Sequence, residues 1–552
     1  MNRLTTAPRV AMSVALSFAL SFALCVALAP AAFARDGAKR PNIILVMADD
    51  LGWSDIGCYG GEIDTPHIDS LATAGLRFTQ FYNNAICGPT RASLLTGLYC
   101  QQVGHRGDRW NEPKDFAKCV TVGEMLQRAG YRTAMVGKWQ GRDSALDRGF
   151  DRFYGPMCQA KISYFHEVQR NPYYIDRKRI ELPDDFYLTD ALNEHALSFL
   201  EESLASEKPF FLYVAHIAPH WPLHAREADV ERYRERYRSS GWDQVRSRRF
   251  ARQREAGLAA SGAKLAARPA NVRDWKADKF KDWQAERMAV YAAQVDRMDQ
   301  GVGRIMASLQ QGGLTEDTLV MFLSDNGGCA EFLAEDGFVQ RLLYPNRDGT
   351  YVRPGNLPGT MPGGEDTYMS YDLPWANASN TPFRLFKRWV HEGGISTPFI
   401  VHWPARIKQA GIVNDPAQVI DIAATCYDAA GAAYPAQFNG HQITPLEGES
   451  LVPAIEGRSW SRQQPLFWEH EGNRAVRAGQ WKLVSEIGGG WELYDMEQDR
   501  TELHDQAARN RPKVDELTRL YQEWAERCGV VPWPVPPNVW EPWQRSKHVH
   551  TA

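Results

Sequence analysis

Short, largely apolar runs, each broken off by polar or charged residues, recur along this chain and restrict it to one kind of sheet. Asn42-Ile-Ile-Leu-Val-Met-Ala48 runs into Asp49-Asp50. Tyr131–Val136 leads into Gly137-Lys138, Phe210–Ala215 into His216, and Thr318–Leu323 into Ser324-Asp325. Phe399–His402, before Trp403-Pro404, is a fifth instance. A strand that is apolar on both faces must be covered on both, which is the position of a strand in a parallel sheet between helix layers. Helical periods at Val122–Ala129, Leu188–Leu204 and Ala285–Gln310 supply those layers. The pattern predicts an α/β fold with a mostly parallel central sheet sandwiched by helices. The polar residues that end each run should gather at the carboxyl edge of that sheet, where such folds carry their sites.

After about residue 455 the pattern changes. Pro465–Glu471, Arg474–Ser485 and Trp491–Asp495 read as short antiparallel strands, and Val514–Cys528 as an amphipathic helix. A main domain over residues 38–454 and a smaller C-terminal α+β domain over 455–552 are expected, with the Pro- and Trp-rich tail from Val530 wrapping the surface. Arg3 and Arg9 precede an apolar run from Val10 to Leu28, and Ala32-Phe33-Ala34 offers a small-residue cleavage site. That is the layout of a signal peptide over residues 1–34, cleaved near Ala34, and it predicts a periplasmic or secreted protein. The alternative is an uncleaved anchor. No other segment is long and apolar enough to span a bilayer, so no stable membrane insertion is expected.

Loss of Arg3 and Arg9 with the leader takes the formal net charge from −4 to −6, which gives no overall attraction to nucleic acid. The arginine-rich stretch from Arg226 to Arg273, with Arg246, Arg248, Arg249 and Arg252, is interleaved with acids and reads as solvated helix; a polyanion-binding lid is the alternative. Setting aside Cys25 in the leader and Cys87, seven cysteines remain: Cys58, Cys100, Cys119, Cys158, Cys329, Cys426 and Cys528. They are odd in number and widely spaced, a poor disulfide framework, although one or two bridges would be compatible with export.

Three clusters carry chemistry. Asp49 and Asp50 repel each other unless a cation lies between them, so a divalent metal is the natural occupant. Ser324-Asp325-Asn326-Gly327-Gly328 places a second set of oxygen ligands at another strand end. Cys87-Gly88-Pro89-Thr90-Arg91-Ala92-Ser93-Leu94-Leu95-Thr96-Gly97 puts a nucleophile just ahead of a helix start, with Pro89 suited to the first turn. There the backbone N–H groups and the helix dipole favour an anion. Arg91 adds a forked donor for a tetrahedral oxyanion.

The eleven residues from Cys87 to Gly97 resemble the Cys-x-Pro-x-Arg…Thr-Gly signature of the type I sulfatases, within the alkaline phosphatase superfamily. The two early aspartates and the Asp325-Asn326 pair match that family in order and spacing. So do Gly137-Lys138-Trp139-Gln140, Ala218-Pro219-His220-Trp221-Pro222, Lys387 five residues before Glu392-Gly393-Gly394, and the C-terminal Trp481-Lys482-Leu483…Glu492-Leu493-Tyr494-Asp495. The resemblance spans nearly the whole chain after the leader and is closest to bacterial arylsulfatases. It implies metal-dependent hydrolysis of aryl or carbohydrate sulfate esters. In that family a maturation enzyme oxidises the cysteine to Cα-formylglycine, whose hydrated aldehyde attacks sulfur. Carried over to this chain, Asp49, Asp50, Cys87, Asp325 and Asn326 would hold one divalent cation, calcium in most of the family. Arg91, Lys138 and Lys387 would hold the sulfate, and His220 or Lys387 would protonate the leaving oxygen.

One position departs from the pattern. Gln140 stands where the family usually has the histidine that acts on the second hydroxyl of the formylglycine diol as sulfate leaves. Glutamine can form hydrogen bonds there but cannot accept a proton near neutral pH. His105 and His216 are candidates for that task, without a motif to support either. Two rival readings stay open at this level: a formylglycine-dependent phosphonate or phosphodiester hydrolase, and a non-catalytic binder of sulfated glycans.

Overall fold

All seven residues of β1 (Asn42–Ala48) are buried, as an uninterrupted apolar run demands. In the computed structural model β1 lies inside an eleven-stranded sheet. The structure describes residues 39–530 except 107–108, 111–117, 142, 157–161, 169–170, 261, 338, 340–344 and 347. The expected leader, Cys158 and the tail beyond Val530 lie outside the described residues. The other strands of the sheet are β2 (Leu76–Tyr82), β3 (Arg132–Gly137), β4 (Arg152–Pro156), β5 (Tyr173–Ile175), β6 (Lys178–Ile180), β7 (Phe210–Ala215), β8 (Thr318–Ser324), β9 (Ser396–His402), β10 (Gly411–Val413) and β11 (Ala417–Gln418).

Across the sheet the order is β10-β2-β9-β8-β1-β7-β3-β4-β5-β6, with β11 also paired to β2. Strand β1 runs parallel to β7 and β8, and β3 parallel to β7 and β4. The sheet is thus mostly parallel, as expected, but β9 is antiparallel to both its neighbours, β8 and β2. The run Phe399–His402 therefore breaks the rule inferred from the others. Its amino end, Ser396, faces the functional edge, and Trp403-Pro404 lies at the far end. An apolar run reports burial on both faces, which β9 has in full, and carries no information on direction.

Alternation along β1 divides the core in two. Ile44, Val46 and Ala48 pack with α4 (Leu188–Leu204), α5 (Glu227–Glu255) and α6 (Lys281–Gln311), while Ile43, Leu45 and Met47 pack with α2 (Cys87–Thr96), α3 (Val122–Arg128) and α7 (Ile420–Ala430). A nine-residue helix, α1 (Pro66–Ala74), adds Ile68, Leu71 and Ala72 to the first of these layers. Helix α3 starts on a full capping box: Thr121 accepts from Glu124 N–H, and the Glu124 carboxylate accepts from Thr121 N–H.

The smaller C-terminal domain is an antiparallel sheet of β12 (Leu466–His470), β13 (Asn473–Ala478), β14 (Trp481–Ser485) and β15 (Glu492–Asp495). One face, with Val476, Leu483 and Leu493, is covered by Val514, Leu517, Tyr521 and Trp524 of α8 (Arg511–Arg527). The other, with Ala475, Val484 and Tyr494, meets Tyr82, Ala85, Val390 and Ile395 of the main domain. Lys482 is fully buried in this junction, with Nζ 2.9 Å from Glu392 and 2.8 Å from Glu502.

The arginine-rich helix departs from expectation. Helix α5 bends at Gly241, whose φ of 64° places it in the left-handed region, and both Arg246 and Arg249 are buried rather than solvated. Arg249 Nη1 lies 2.5 Å from Asp55 and Nη2 2.7 Å from Glu62. Its partners belong to the segment after β1, so nothing in the local sequence of α5 reveals them. All described cysteines are free thiols. Replacement of Arg249 by Met strands the buried Asp55 charge and should destabilise the protein by about 3–5 kcal/mol. Denaturant unfolding of Arg249→Met against wild type measures this.

Candidate active site

The loops leaving one edge of the sheet converge on Cys87. From β2 the chain passes through Ala85, which takes a left-handed φ of 65°, and Ile86, which is extended at φ −154° and ψ 150°. Cys87 is the first residue of α2, one step further into the helix than the sequence reading placed it. The turn is clasped by side chains: Thr90 Oγ1 accepts from Asn84 N–H at 2.9 Å, and Asn84 Nδ2 donates to Ser93 Oγ at 2.7 Å. Such ties hold the helix N-terminus, with its unpaired N–H groups, against the nucleophile position. His105 packs on the next residue so closely that a Cβ on Gly88 would fall 2.5 Å from its Cε1 and 2.7 Å from its Nε2.

Asp49 and Asp50 follow β1, Lys138 follows β3, His216 and His220 follow β7, and Asp325 and Asn326 follow β8. Lys387 precedes the antiparallel β9, so it arrives from the amino end of its strand. Lys138 Nζ lies 2.5 Å from Asp49. Arg91 Nη2 is 2.7 Å from Asp325 and 3.8 Å from Asp49. Lys387 Nζ is 2.9 Å from Asp50 Oδ1 and 3.0 Å from Oδ2. Asn326 Nδ2 donates to Asp50 Oδ1 at 2.7 Å, and Asp50 N–H donates to Asp325 Oδ1 at 3.2 Å. The sequence-predicted ligands and cations are therefore brought together, with Asp49, Cys87 and Asp325 in one close group and Asp49, Asp50 and His220 in another.

Burial sets the electrostatics. Asp49 is fully buried, which pushes its carboxyl up, yet Lys138, His220 and Arg91 hold it well below the usual range. Asp325 is pushed up to about 7 by burial and by the charge of Asp49. Burial disfavours the charged forms of Lys138 and Lys387, but Asp49 beside the first and Asp50 beside the second keep both firmly protonated. The Cys87 thiol is pushed up by burial. His216 is lowered to about 3 by burial and by Arg91, so it stays neutral at ordinary pH.

His220 Nδ1 donates to the Trp221 carbonyl at 2.6 Å, which leaves Nε2, 3.5 Å from Asp50, facing the site. Two cis peptides, Ala218-Pro219 and Trp221-Pro222, flank it. Gln140 Nε2 lies 3.5 Å from Cys87 Sγ, so this side chain does reach the nucleophile position. Tyr213 on β7 was not singled out by the sequence, being one of an unbroken apolar run; its hydroxyl lies 3.5 Å from Arg91 Nη1. Glu331 escaped notice for another reason. It stands beyond the Asp325-Asn326 motif with no pattern of its own, yet its carboxylate is held down to about 2 against burial by Lys387, Arg388 and His220.

The residues present fit a hard cation. Asp49 Oδ1 and Asn326 Oδ1 are buried with no hydrogen-bond partner among the described residues, and both belong to the oxygen-rich cluster around Cys87. Buried oxygens left without donors are costly unless an ion takes their lone pairs.

Comparison with known proteins agrees with this geometry. The family model described as Sulfatase matches residues 41–432, and that described as N-sulphoglucosamine sulphohydrolase, C-terminal, matches residues 383–526. An arylsulfatase of Klebsiella aerogenes is 30% identical over 78% of this chain and 95% of its own. An uncharacterized sulfatase of Schizosaccharomyces pombe is 29% identical over 90% of this chain and 95% of its own. Among solved structures, Ps i-CgsB in complex with k-i-k-neocarrahexaose superposes with a TM-score of 0.63 at 25% identity, covering 93% of this chain and 98% of that one.

Because His105 occupies the space a side chain on Gly88 would need, Gly88→Ala should displace the imidazole and the start of α2 together. A shift of about 1 Å at a reacting group costs on the order of 100-fold in rate. Steady-state kinetics on Gly88→Ala, with its thermal midpoint as the control for folding, tests that expectation.

Proposed function

The chain belongs to the sulfatase family and is a sulfuric ester hydrolase, and from that premise we propose that Cys87 works as Cα-formylglycine beside a calcium ion held by Asp49, Asp50, Asp325, Asn326 and the modified Cys87. The observation that carries this reading is the buried cluster itself. Three carboxylates and three cations meet around Cys87, although Asp49 and Lys387 are 338 positions apart in the chain. Their charges cancel, so a divalent ion would leave the site net positive and suited to a sulfate ester anion. The aldehyde hydrate supplies an oxygen nucleophile that a thiol lacks; in the structure the Cys87 thiol occupies that position. The calcium ion would lower the charge barrier to attack on sulfur.

The protein's own groups do the rest of the work in this reading. Arg91, Lys138 and Lys387 hold the sulfate oxygens and offset charge as it builds in the transition state. Asp325, buried with its carboxylate 2.7 Å from Arg91, takes the proton of the attacking hydroxyl. His220, its ring fixed through Nδ1 by the Trp221 carbonyl, delivers a proton from Nε2 to the leaving oxygen in its doubly protonated form, which burial disfavours and Asp50 and Asp49 favour. Lys387 polarises the same oxygen. Gln140 offers a donor from Nε2 at the nucleophile but no base. Sulfate release is therefore the slow half of the proposed cycle.

Cys87 is 8% exposed within a helix, so the maturation enzyme would have to act before folding closes the site. Export after cleavage near Ala34, to the periplasm or beyond, belongs to the same proposal, as does the division into a catalytic domain over 38–454 and a smaller one from 455. Among the described residues no helix is long and apolar enough to cross a membrane. The substrate is an aryl or carbohydrate sulfate.

Peptide mass analysis across Cys87, combined with sulfate release from 4-nitrophenyl sulfate, tests the nucleophile. The expected result is an aldehyde at position 87 and loss of activity in Cys87→Ala with an unchanged fold. Full activity with an unmodified thiol refutes it. Gln140→His should restore a base and raise steady-state turnover about 10–100-fold, the usual range of a placed general base being higher still. Pre-steady-state kinetics should show the gain in sulfate release, with the first bond-breaking step little changed.

A further inference from the structure

Beyond the sulfate-holding cluster, the structure gathers a second, mixed-charge group whose members are partly open to solvent. Glu331 follows the Asp325-Asn326 turn, and its Oε2 accepts from Trp221 Nε1–H at 2.8 Å. Its backbone carbonyl accepts from the Ser370 hydroxyl, so the residue is anchored at both ends. The other carboxylate oxygen, Oε1, has no donor within hydrogen-bond distance among the described residues; Arg388 Nη1 stands 3.9 Å away. Arg388 in turn reaches Glu471, on the β12–β13 turn of the smaller domain, at 3.1 Å. The side chains of Glu331, Arg388 and Glu471 are 18%, 17% and 18% exposed.

The placement of this group ties it to the leaving-group side of the site. Arg388 follows Lys387 directly, and Trp221 follows His220, the two residues assigned above to the leaving oxygen. Lys387 and His220 are among the charges that Glu331 feels. Arg388 holds a left-handed φ of 84°, Glu471 one of 50°, and Arg388 N–H donates to the Ala85 carbonyl at 2.7 Å. Non-glycine residues in that region are strained and persist only where the surroundings hold them. Two such residues meeting through one ion pair make a fixed rim rather than a chance surface contact.

We propose that Glu331, with Arg388 and Glu471, forms the subsite that receives the alcohol part of the substrate, and that it selects a neutral or amino sugar over a plain phenol or a uronate. This rests on the sulfate-ester reading of the adjacent cluster. A carboxylate with one oxygen pinned and one free accepts hydrogen bonds from sugar hydroxyls, which a simple phenol leaving group lacks. Arg388 donates to ring or hydroxyl oxygens from between the two acids. A uronate would bring a third carboxylate against Glu331 and Glu471 and be repelled. The smaller domain thereby contributes a residue, Glu471, to substrate choice.

The test compares kcat/KM for 4-nitrophenyl sulfate with that for hexose and N-acetylhexosamine monosulfates, in wild type and in Glu331→Ala, Glu331→Gln and Glu471→Gln. In Glu331→Ala the ratio of sugar to aryl kcat/KM should fall about thirtyfold, the scale of one lost hydrogen bond to a charged group, chiefly through KM of the sugar sulfate. Glu331→Gln, which keeps an acceptor for Trp221, and Glu471→Gln should move the ratio the same way by less. Thermal midpoints accompany each variant, and the Gln variants carry the test if the Ala variant does not fold. A proportional fall on both substrate classes, or an unchanged ratio, overturns the subsite. Wild-type protein that cleaves 4-nitrophenyl sulfate but no sugar sulfate overturns the subsite and leaves the reaction standing. Release of sulfate from neither class refutes the reaction and the subsite together.

Discussion

Everything at this site depends on carboxylates being taken out of water in the company of cations. Asp49 and Asp325 are fully buried, and the charge of Asp49 raises the cost of ionising Asp325; the divergence of their pKa values, one held low and one raised to about 7, follows from which cations each one faces. Lys138 pins Asp49, while Arg91 bridges Asp325 and Asp49 from the helix that carries Cys87. Remove any one cation and a buried charge is left unpaired, which costs several kcal/mol. The cluster is therefore a folding constraint as well as a chemical one. It forces the ends of β1, β3, β7 and β8 and the start of α2 into one register.

Two further charge networks hold that register from outside. Arg249 reaches from α5 to Asp55 and Glu62, and Tyr291 donates to Asp55 at 2.7 Å and to the Asp50 carbonyl at 3.2 Å. The segment leaving β1 is thus tied down at and just after the acidic pair. On the opposite flank, Glu392, held down to about 2 against burial by Lys482 and Arg500, anchors the turn before β9 to the smaller domain. Gly393 and Gly394 are needed there by close packing: a Cβ on either would fall within 2.3 Å of a backbone carbonyl oxygen. The Glu-Gly-Gly element is in this sense structural. It delivers Lys387 to Asp50 by fixing the chain just after it.

Much of the fold could be read from the chain. The apolar runs located β1, β3, β7 and β8 closely, and the residues that end them are those the structure assembles. The readings that failed did so for identifiable reasons. The direction of β9 is set by the connection before it and by pairing with β8 and β2, neither of which leaves a mark on Phe399–His402. Strand β2 carries no such run because Arg77, Thr79 and Gln80 interrupt its apolar residues. Arg249 was read as solvated because its neighbours in sequence are charged, whereas its partners lie almost 200 residues earlier, at separations of 194 and 187.

The sequence by itself determined the chemistry available: a cysteine at a helix start, oxygen ligands at two strand ends, a lysine and a histidine after others, and a glutamine in place of a base. These are local facts, carried by residue type and spacing, and they survive in any arrangement that keeps the strands parallel. Only the tertiary structure decided which charges meet, because pairing across hundreds of residues is a property of strand order. It alone brought Lys387 in from an antiparallel strand, buried Arg249, and set Glu331 beside Arg388 and a turn of the smaller domain. Burial then fixed the protonation of each group, since the cost of a charge depends on what surrounds it and not on where it falls in the chain.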